Sequence, residues 1–192
     1  MRISDDRYHR DQMRLDVAMW FMRHEARTRT IRQWTGLSDD RIRKLYHSYL
    51  QSGGKTTRHR GKSPCQAQYF LRSVRVRDEA SALASLYCLV GLFDGQRLQP
   101  PRLAMSADRG VWLCRAYERY RATVRAPSIS FEHAVLLVHA LTRGSELRLG
   151  ECRRCSALLV VDSLQLRPAV CTLCTADTKD SAVPGITRAA HM

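Results

Sequence analysis

The sequence predicts a mainly helical protein, a multi-helix body with a small zinc-ribbon-like module at its C-terminal end. Three observations lead there. Apolar residues recur at three-and-four spacing through most of the first 146 residues, which is the period of a helix face. After Leu147 that period gives way to short apolar runs. Four cysteines, in two Cys-x2-Cys pairs, sit at the edges of those runs. The expected division is 1–146 for a helical body, 147–176 for the zinc module and 177–192 for a flexible tail.

The first helix is expected over 5–27. Met13, Val17, Trp20 and His24 fall on one stripe, and Leu15, Ala18, Met19, Met22 and Ala26 on another. Two apolar stripes require cover on more than one side, either from later helices of the same chain or from another subunit. Residues 28–50 read as two short helices. Ile31 and Trp34 face inward on the first, and Gly36-Leu37 makes the break. Ser38 caps the second, Asp39 and Asp40 suit its positive end, and Ile42, Leu45, Tyr46 and Tyr49 face the core.

Residues 51–64 hold three glycines, a proline and no apolar side chain, the composition of an exposed mobile loop. Lys55, Arg58, Arg60 and Lys62 make it strongly cationic. Helix returns over 66–93, with a break near Ser73 to Arg77. Phe70 and Val74 open its apolar face, and Leu83, Leu86, Tyr87 and Val90 continue it. A further helix runs from Ala107 to Val124, carrying Leu113, Tyr117 and Tyr120. The next carries Ala134, Leu137, Val138 and Leu141 and stops at Gly144. Leu158 to Val161 and Ala169-Val170 read as strands, and from Thr175 the chain is polar and patternless.

Cys152, Cys155, Cys171 and Cys174 are separated as Cys-x2-Cys, fifteen residues, Cys-x2-Cys. Each pair can turn two sulfurs toward one point, and two such knuckles make a tetrahedron of thiolates with Zn–S near about 2.3 Å. The expectation is one structural Zn2+ per chain, since four cysteines leave no position for a reactive water. Arg153 and Arg154 lie inside the first knuckle, where they can offset the charge of a zinc–thiolate centre. An iron–sulfur cluster and a redox dithiol pair are the competing readings. Cys88 and Cys114, beside apolar helical residues, read as core thiols. His133 and His139 are six apart on one helix and are assigned no ligand role.

Lys and Arg number 32 against 18 Asp and Glu, a formal net charge of +14. A surplus of that size points to a polyanion, nucleic acid first. The segment from Ile31 to Tyr49 fits a helix-turn-helix whose second helix turns a polar face outward. The candidate DNA contacts are Arg41, Arg43, Lys44 and His47 on that helix, and Lys55, Arg58, Arg60 and Lys62 on the loop. Asp39 and Asp40 count against groove entry, because they place negative charge at the end that approaches phosphate. Glu25, Glu79, Glu118 and Glu132 are scattered, no catalytic constellation stands out, and an enzyme is not expected. The seven cysteines, an odd number, argue against a disulfide framework. No apolar run reaches the roughly 18 residues of a membrane span, and no secretory signal opens the chain. A cytoplasmic protein is expected.

Several of these features together resemble the FlhC family, the C subunit of the bacterial flagellar master transcriptional regulator. They are Thr35-Gly36-Leu37-Ser38, then Arg41-Ile42-Arg43-Lys44-Leu45-Tyr46, then Gly61-Lys62-Ser63-Pro64, the aromatic Phe70 and the two cysteine pairs. The resemblance spans about residues 8 to 175 and rests on the order and spacing of all of them. It implies a helical body, zinc at the four cysteines, a hetero-oligomer with the smaller FlhD subunit, binding to double-stranded DNA at flagellar promoters, and activation through RNA polymerase. The loop with Gly53-Gly54 is more cationic than the family implies, and the tail after Cys174 is shorter. A zinc-ribbon adaptor that binds only protein, with its charge matched to an acidic subunit, and a thiol redox enzyme are the alternatives.

Overall fold

The structure, a computed structural model, describes residues 2–51, 53, 62–94 and 104–180. It is mainly helical with one small sheet. The elements are α1 (Arg2–Arg23), α2 (Thr28–Thr35), α3 (Asp39–Gln51), a 3-10 turn (Ala67–Leu71), α4 (Val74–Leu89), α5 (Ala107–Thr123), α6 (Phe131–Arg143), β1 (Leu147–Glu151), β2 (Leu158–Asp162) and α7 (Thr172–Asp180). Among the described residues no helix is long and apolar enough to cross a membrane.

The helix ends follow from local chemistry. Ser73, Ser106 and Ser130 each accept the amide of the third residue beyond them, Val76, Arg109 and His133, and so start α4, α5 and α6. Ser38 does the same for Arg41 at the start of α3. Gly36 and Gly144 end α2 and α6 in the left-handed conformation, at φ 70° and 69°.

The first helix is shorter at its C-terminal end than its stripes predict. It stops at Arg23, because Glu25 adopts a left-handed conformation at φ 59°. The Ala26 amide then bonds back to the Phe21 carbonyl and the Glu25 amide to that of Met22, the paired closure of a helix C-terminus. The chain turns there and sends α2 back across α1.

Helices of the same chain cover part of the apolar stripes of α1, and Met13, Leu15, Met19 and Trp20 are only partly buried. Val17, Ala18, Phe21 and Met22 are buried, and α1 packs against α2, α3 and α5. Phe21, which neither predicted stripe includes, meets Phe131 edge-on at a centroid distance of 4.9 Å and also faces Trp34. These rings, with Tyr87, Tyr117 and Tyr120, fill the body's core. Val74, expected on the apolar face of α4, is exposed instead. It stands at the first helical position, and the buried face runs through Val76, Ala80, Leu83, Ala84 and Tyr87.

β1 and β2 form an antiparallel hairpin, from Leu147 opposite Asp162 to Glu151 opposite Leu158. The hairpin is not free of the body. β2 packs on α4 and β1 on α6, and Leu147, Leu149 and Val160 belong to the same core as the helices. The Val160 amide donates to Ser81 Oγ at 2.9 Å, which pins the strand to α4.

Two C-terminal expectations change. Ala169-Val170 is not a strand. Pro168 has no amide to extend a ladder, and the segment makes only an isolated pairing, Arg153 N–H to the Ala169 carbonyl at 3.1 Å. The polar stretch from Thr175, expected to fray, continues α7 as far as Asp180. The remainder of the expected tail, 181–192, lies outside the described residues.

Candidate metal centre and cationic surface

Cys152 directly follows β1 and Cys155 lies in the turn after it. Cys171 directly precedes α7 and Cys174 lies in its first turn. Ser156, at φ 58°, closes the first knuckle. Its amide donates to the Cys152 carbonyl at 2.8 Å, while the Cys152 amide reaches the Ala157 carbonyl at 2.9 Å. Fifteen intervening residues are thereby folded back, and all four sulfurs lie within 4.8 Å of one another. The Cys155 and Cys171 sulfurs are 3.7 Å apart. A tetrahedral ion with bonds near 2.3 Å places its sulfurs about 3.8 Å apart.

The backbone is arranged to receive thiolate charge. The Cys171 amide donates to Cys152 Sγ at 3.3 Å and the Cys174 amide to Cys171 Sγ at 3.4 Å. Amides of Cys171, Arg154 and Cys155 around the Cys152 sulfur hold its thiol at about 6, well below the ordinary range. Hydrogen bonds with the Cys171 and Cys155 sulfurs push Cys174 up to about 12. One sulfur is disposed to ionise and another to keep its proton, which is the behaviour of crowded like charges. A dication among them favours four thiolates at once, so this donor set can hold a metal ion.

Arg154 stands beside the cysteine cluster. Its guanidinium donates to the Cys174 carbonyl at 2.6 Å, tying one knuckle to the other. Arg153 is exposed, and its described contact is through its backbone amide.

On the hairpin of α2 and α3, Arg41, Arg43, Lys44 and His47 are all exposed along the outer side of α3, opposite the buried Ile42 and Tyr46. Asp39 and Asp40, which argued against groove entry, both lie beside arginines. Asp39 faces Arg32 at 3.5 Å across the turn, and Asp40 faces Arg43 at 3.2 Å. Arg43 is therefore engaged on its own helix, and His47 lies 3.4 Å from Gln51. Lys62 is exposed. Lys55, Arg58 and Arg60 lie outside the described residues.

The carboxylates that look scattered in sequence are engaged one at a time. Glu79, buried on α4, accepts from the Tyr120 hydroxyl, from the Ser128 amide and hydroxyl, both at 2.8 Å, and from Arg75 Nε at 2.9 Å. Glu132 accepts from the Arg27 amide at 2.9 Å and Thr30 Oγ at 3.1 Å. Glu118 accepts from Trp20 Nε1 and stands 3.2 Å from His24 Nε2. Apart from Arg75, one helical turn before Glu79, their partners are 41 to 105 residues away in sequence, where no local pattern announces them. Cys88 and Cys114 behave as expected of core thiols, with burial pushing both pKa values up. His133 stacks on Tyr69 at 4.0 Å and sits 2.8 Å from Ser130 Oγ, and burial lowers its pKa.

Fold and site together define a basic, mainly helical protein with a helix-turn-helix-like hairpin and a four-cysteine centre able to hold a metal ion. Compared with known proteins, the chain matches no family model and no curated protein sequence.

Proposed function

We propose that this chain is a cytoplasmic DNA-binding subunit of a transcriptional activator of the FlhC kind. It works in a hetero-oligomer with an FlhD-type partner and activates flagellar promoters through RNA polymerase. The observation that carries the reading is the row of exposed cationic and polar side chains on α3, Arg41, Lys44 and His47, beside a capped hairpin turn whose acids already face arginines. In a chain of +14, that face can meet phosphates and base edges.

The metal in this reading is one structural Zn2+. Four cysteine sulfurs at tetrahedral spacing suit it, and no position remains for substrate or water. Its role is to hold the two knuckles and the β-hairpin as one surface against α4.

Fluorescence anisotropy tests the reading. The chain, co-expressed with an FlhD-type partner, is titrated onto a flagellar promoter fragment and onto a scrambled duplex over a salt series. Preference for the promoter that persists as salt rises is expected, because base contacts release few counterions. Equal, salt-labile binding to both duplexes would discard sequence-specific regulation. Elemental analysis giving one zinc per chain checks the metal.

One observation favours the adaptor reading. Leu164, Leu166 and Leu173, on the loop and helix beside the cysteines, are 83%, 98% and 78% exposed. Apolar side chains so placed suit a protein partner. Loss of partner binding on Leu166→Glu, with DNA affinity intact, would assign the module to protein contact.

A further inference from the structure

The four-cysteine centre is unevenly enclosed. Cys152 and Cys171 are buried, whereas Cys155 is exposed. The exposed member also touches the other knuckle, since Cys155 Sγ stands 3.7 Å from Cys171 Sγ. These two residues are 16 apart in sequence, and only the fold brings their sulfurs together. Cys152 Sγ is engaged differently, accepting the Cys171 amide at 3.3 Å. Arg153 and Arg154 directly precede Cys155 and are exposed. Their charge draws an anionic reagent toward that knuckle.

We propose that Cys155 and Cys171 form a reversible redox pair whose reagent is an anionic low-molecular-weight disulfide of the glutathione class. Cys155 Sγ, as thiolate, attacks one sulfur of that disulfide. A bond forms from Cys155 Sγ to that sulfur, the reagent's S–S bond breaks, and one small thiolate leaves with the electron pair. Cys171 Sγ then attacks Cys155 Sγ, forms the Cys155–Cys171 bond and releases the second small thiolate. Two protein thiolates lose two electrons in total, and the small disulfide gains them. The sulfurs close from 3.7 Å to about 2 Å. That movement falls on the turn and the start of α7, because β1 and β2 are held by α6 and α4. The consequence rests on the structural zinc of the proposed function. With the pair joined, Cys152 and Cys174 remain as thiolate donors, and two cysteines hold zinc far less tightly than four. Oxidation then loosens the knuckles beside the exposed Leu164, Leu166 and Leu173, so that surface answers to the thiol–disulfide balance.

Cys65 is exposed as well, so the test uses the full chain carrying Cys65→Ser, which keeps that thiol out of the readout. Elemental analysis first gives the zinc content, which judges the zinc reading by itself. The protein is then treated with oxidised glutathione in the presence of a chromogenic zinc indicator, and its linkages are mapped by peptide mass spectrometry. The expected result is a Cys155–Cys171 linked peptide, with zinc released in step with its formation. Excess reduced glutathione and added zinc should reverse both. Cys155→His keeps four ligands of a zinc-binding type but has no thiol to exchange. It is expected to hold zinc and to release it at least about tenfold more slowly under the same oxidant. The peptide map decides the pair even where the chain or the variant fails to load zinc. Linkage within Cys152 and Cys155 in place of the expected peptide would overturn the proposal. So would the absence of any linkage, or zinc release from Cys155→His at the unsubstituted rate.

Discussion

Gly110 of α5 lies against Val17 of α1 so closely that a Cβ built on the glycine would stand 2.8 Å from Val17 Cγ1. The two helices meet at that point, and Val17 is buried, with a β-branched side chain that is stiff at χ1. Gly110→Ala gains up to about 1 kcal/mol of helix propensity but overpacks the crossing by about 1–3 kcal/mol. A net loss of about 1 kcal/mol is expected from urea unfolding. A stabilised variant would show that α1 and α5 separate easily.

Glu79 is the most heavily bonded buried carboxylate described. Burial disfavours its charged form, but the hydrogen bonds from Tyr120, Ser128 and Arg75 outweigh that and hold its pKa at about 2, against an ordinary 4.5. The folded value lies below the unfolded one, so the stability it contributes is complete above about pH 4.5 and is lost as pH falls toward 2. Glu79→Gln, which keeps the shape and removes the charge, is expected to cost about 2–3 kcal/mol near neutral pH. Melting temperatures of the two proteins should converge between pH 5 and 2, with both values scanned at about the same ionic strength. A constant difference over that range would mean the carboxylate is not charged in the fold.

Removal of the metal should loosen the knuckles and spare the body. The sulfurs are gathered by a few turns and amide contacts, whereas β1 and β2 are also held by α4 and α6. With a chelator, amides of Cys152, Arg153 and Cys171 are expected to exchange about a hundredfold faster, while far-ultraviolet circular dichroism keeps the helical signal of α1 to α6. Cys155→Ser should reproduce this without chelator. Unchanged exchange in both would remove the metal from the folding of the module.

Asp40 restrains Arg43 through their 3.2 Å contact and adds negative charge to the face of α3. Asp40→Asn is expected to raise duplex affinity about three- to tenfold at low salt, with the gain shrinking as salt rises. Lys44→Ala should lower affinity over the same series. If Asp40→Asn has no effect while Lys44→Ala does, Arg43 lies off the contact surface.

Much of the architecture is legible in single residues. Gly36 and Gly144 end helices where a left-handed residue is needed, and Ser38 and Ser130 begin them. The break before α4 is readable near Ser73, and the Leu158 strand from its apolar run. The end of α1 is not, because glutamate does not advertise a left-handed turn and Glu25 takes one. Val74 shows the same limit, since an apolar residue at a helix start has no neighbour one turn earlier to set its face.

The metal-ready cysteines and the cationic hairpin are matters of spacing and charge, properties that a chain carries before it folds. Two Cys-x2-Cys pairs determine their own knuckles, and a helix period determines which side of α3 faces out. The tertiary structure alone decided which distant groups meet. It brought Glu79 to Tyr120 and Ser128, and pinned the four-cysteine module to the body through Ser81 and Val160. Those relationships depend on packing between segments many residues apart, and buried polar groups are paired by geometry that no local pattern encodes.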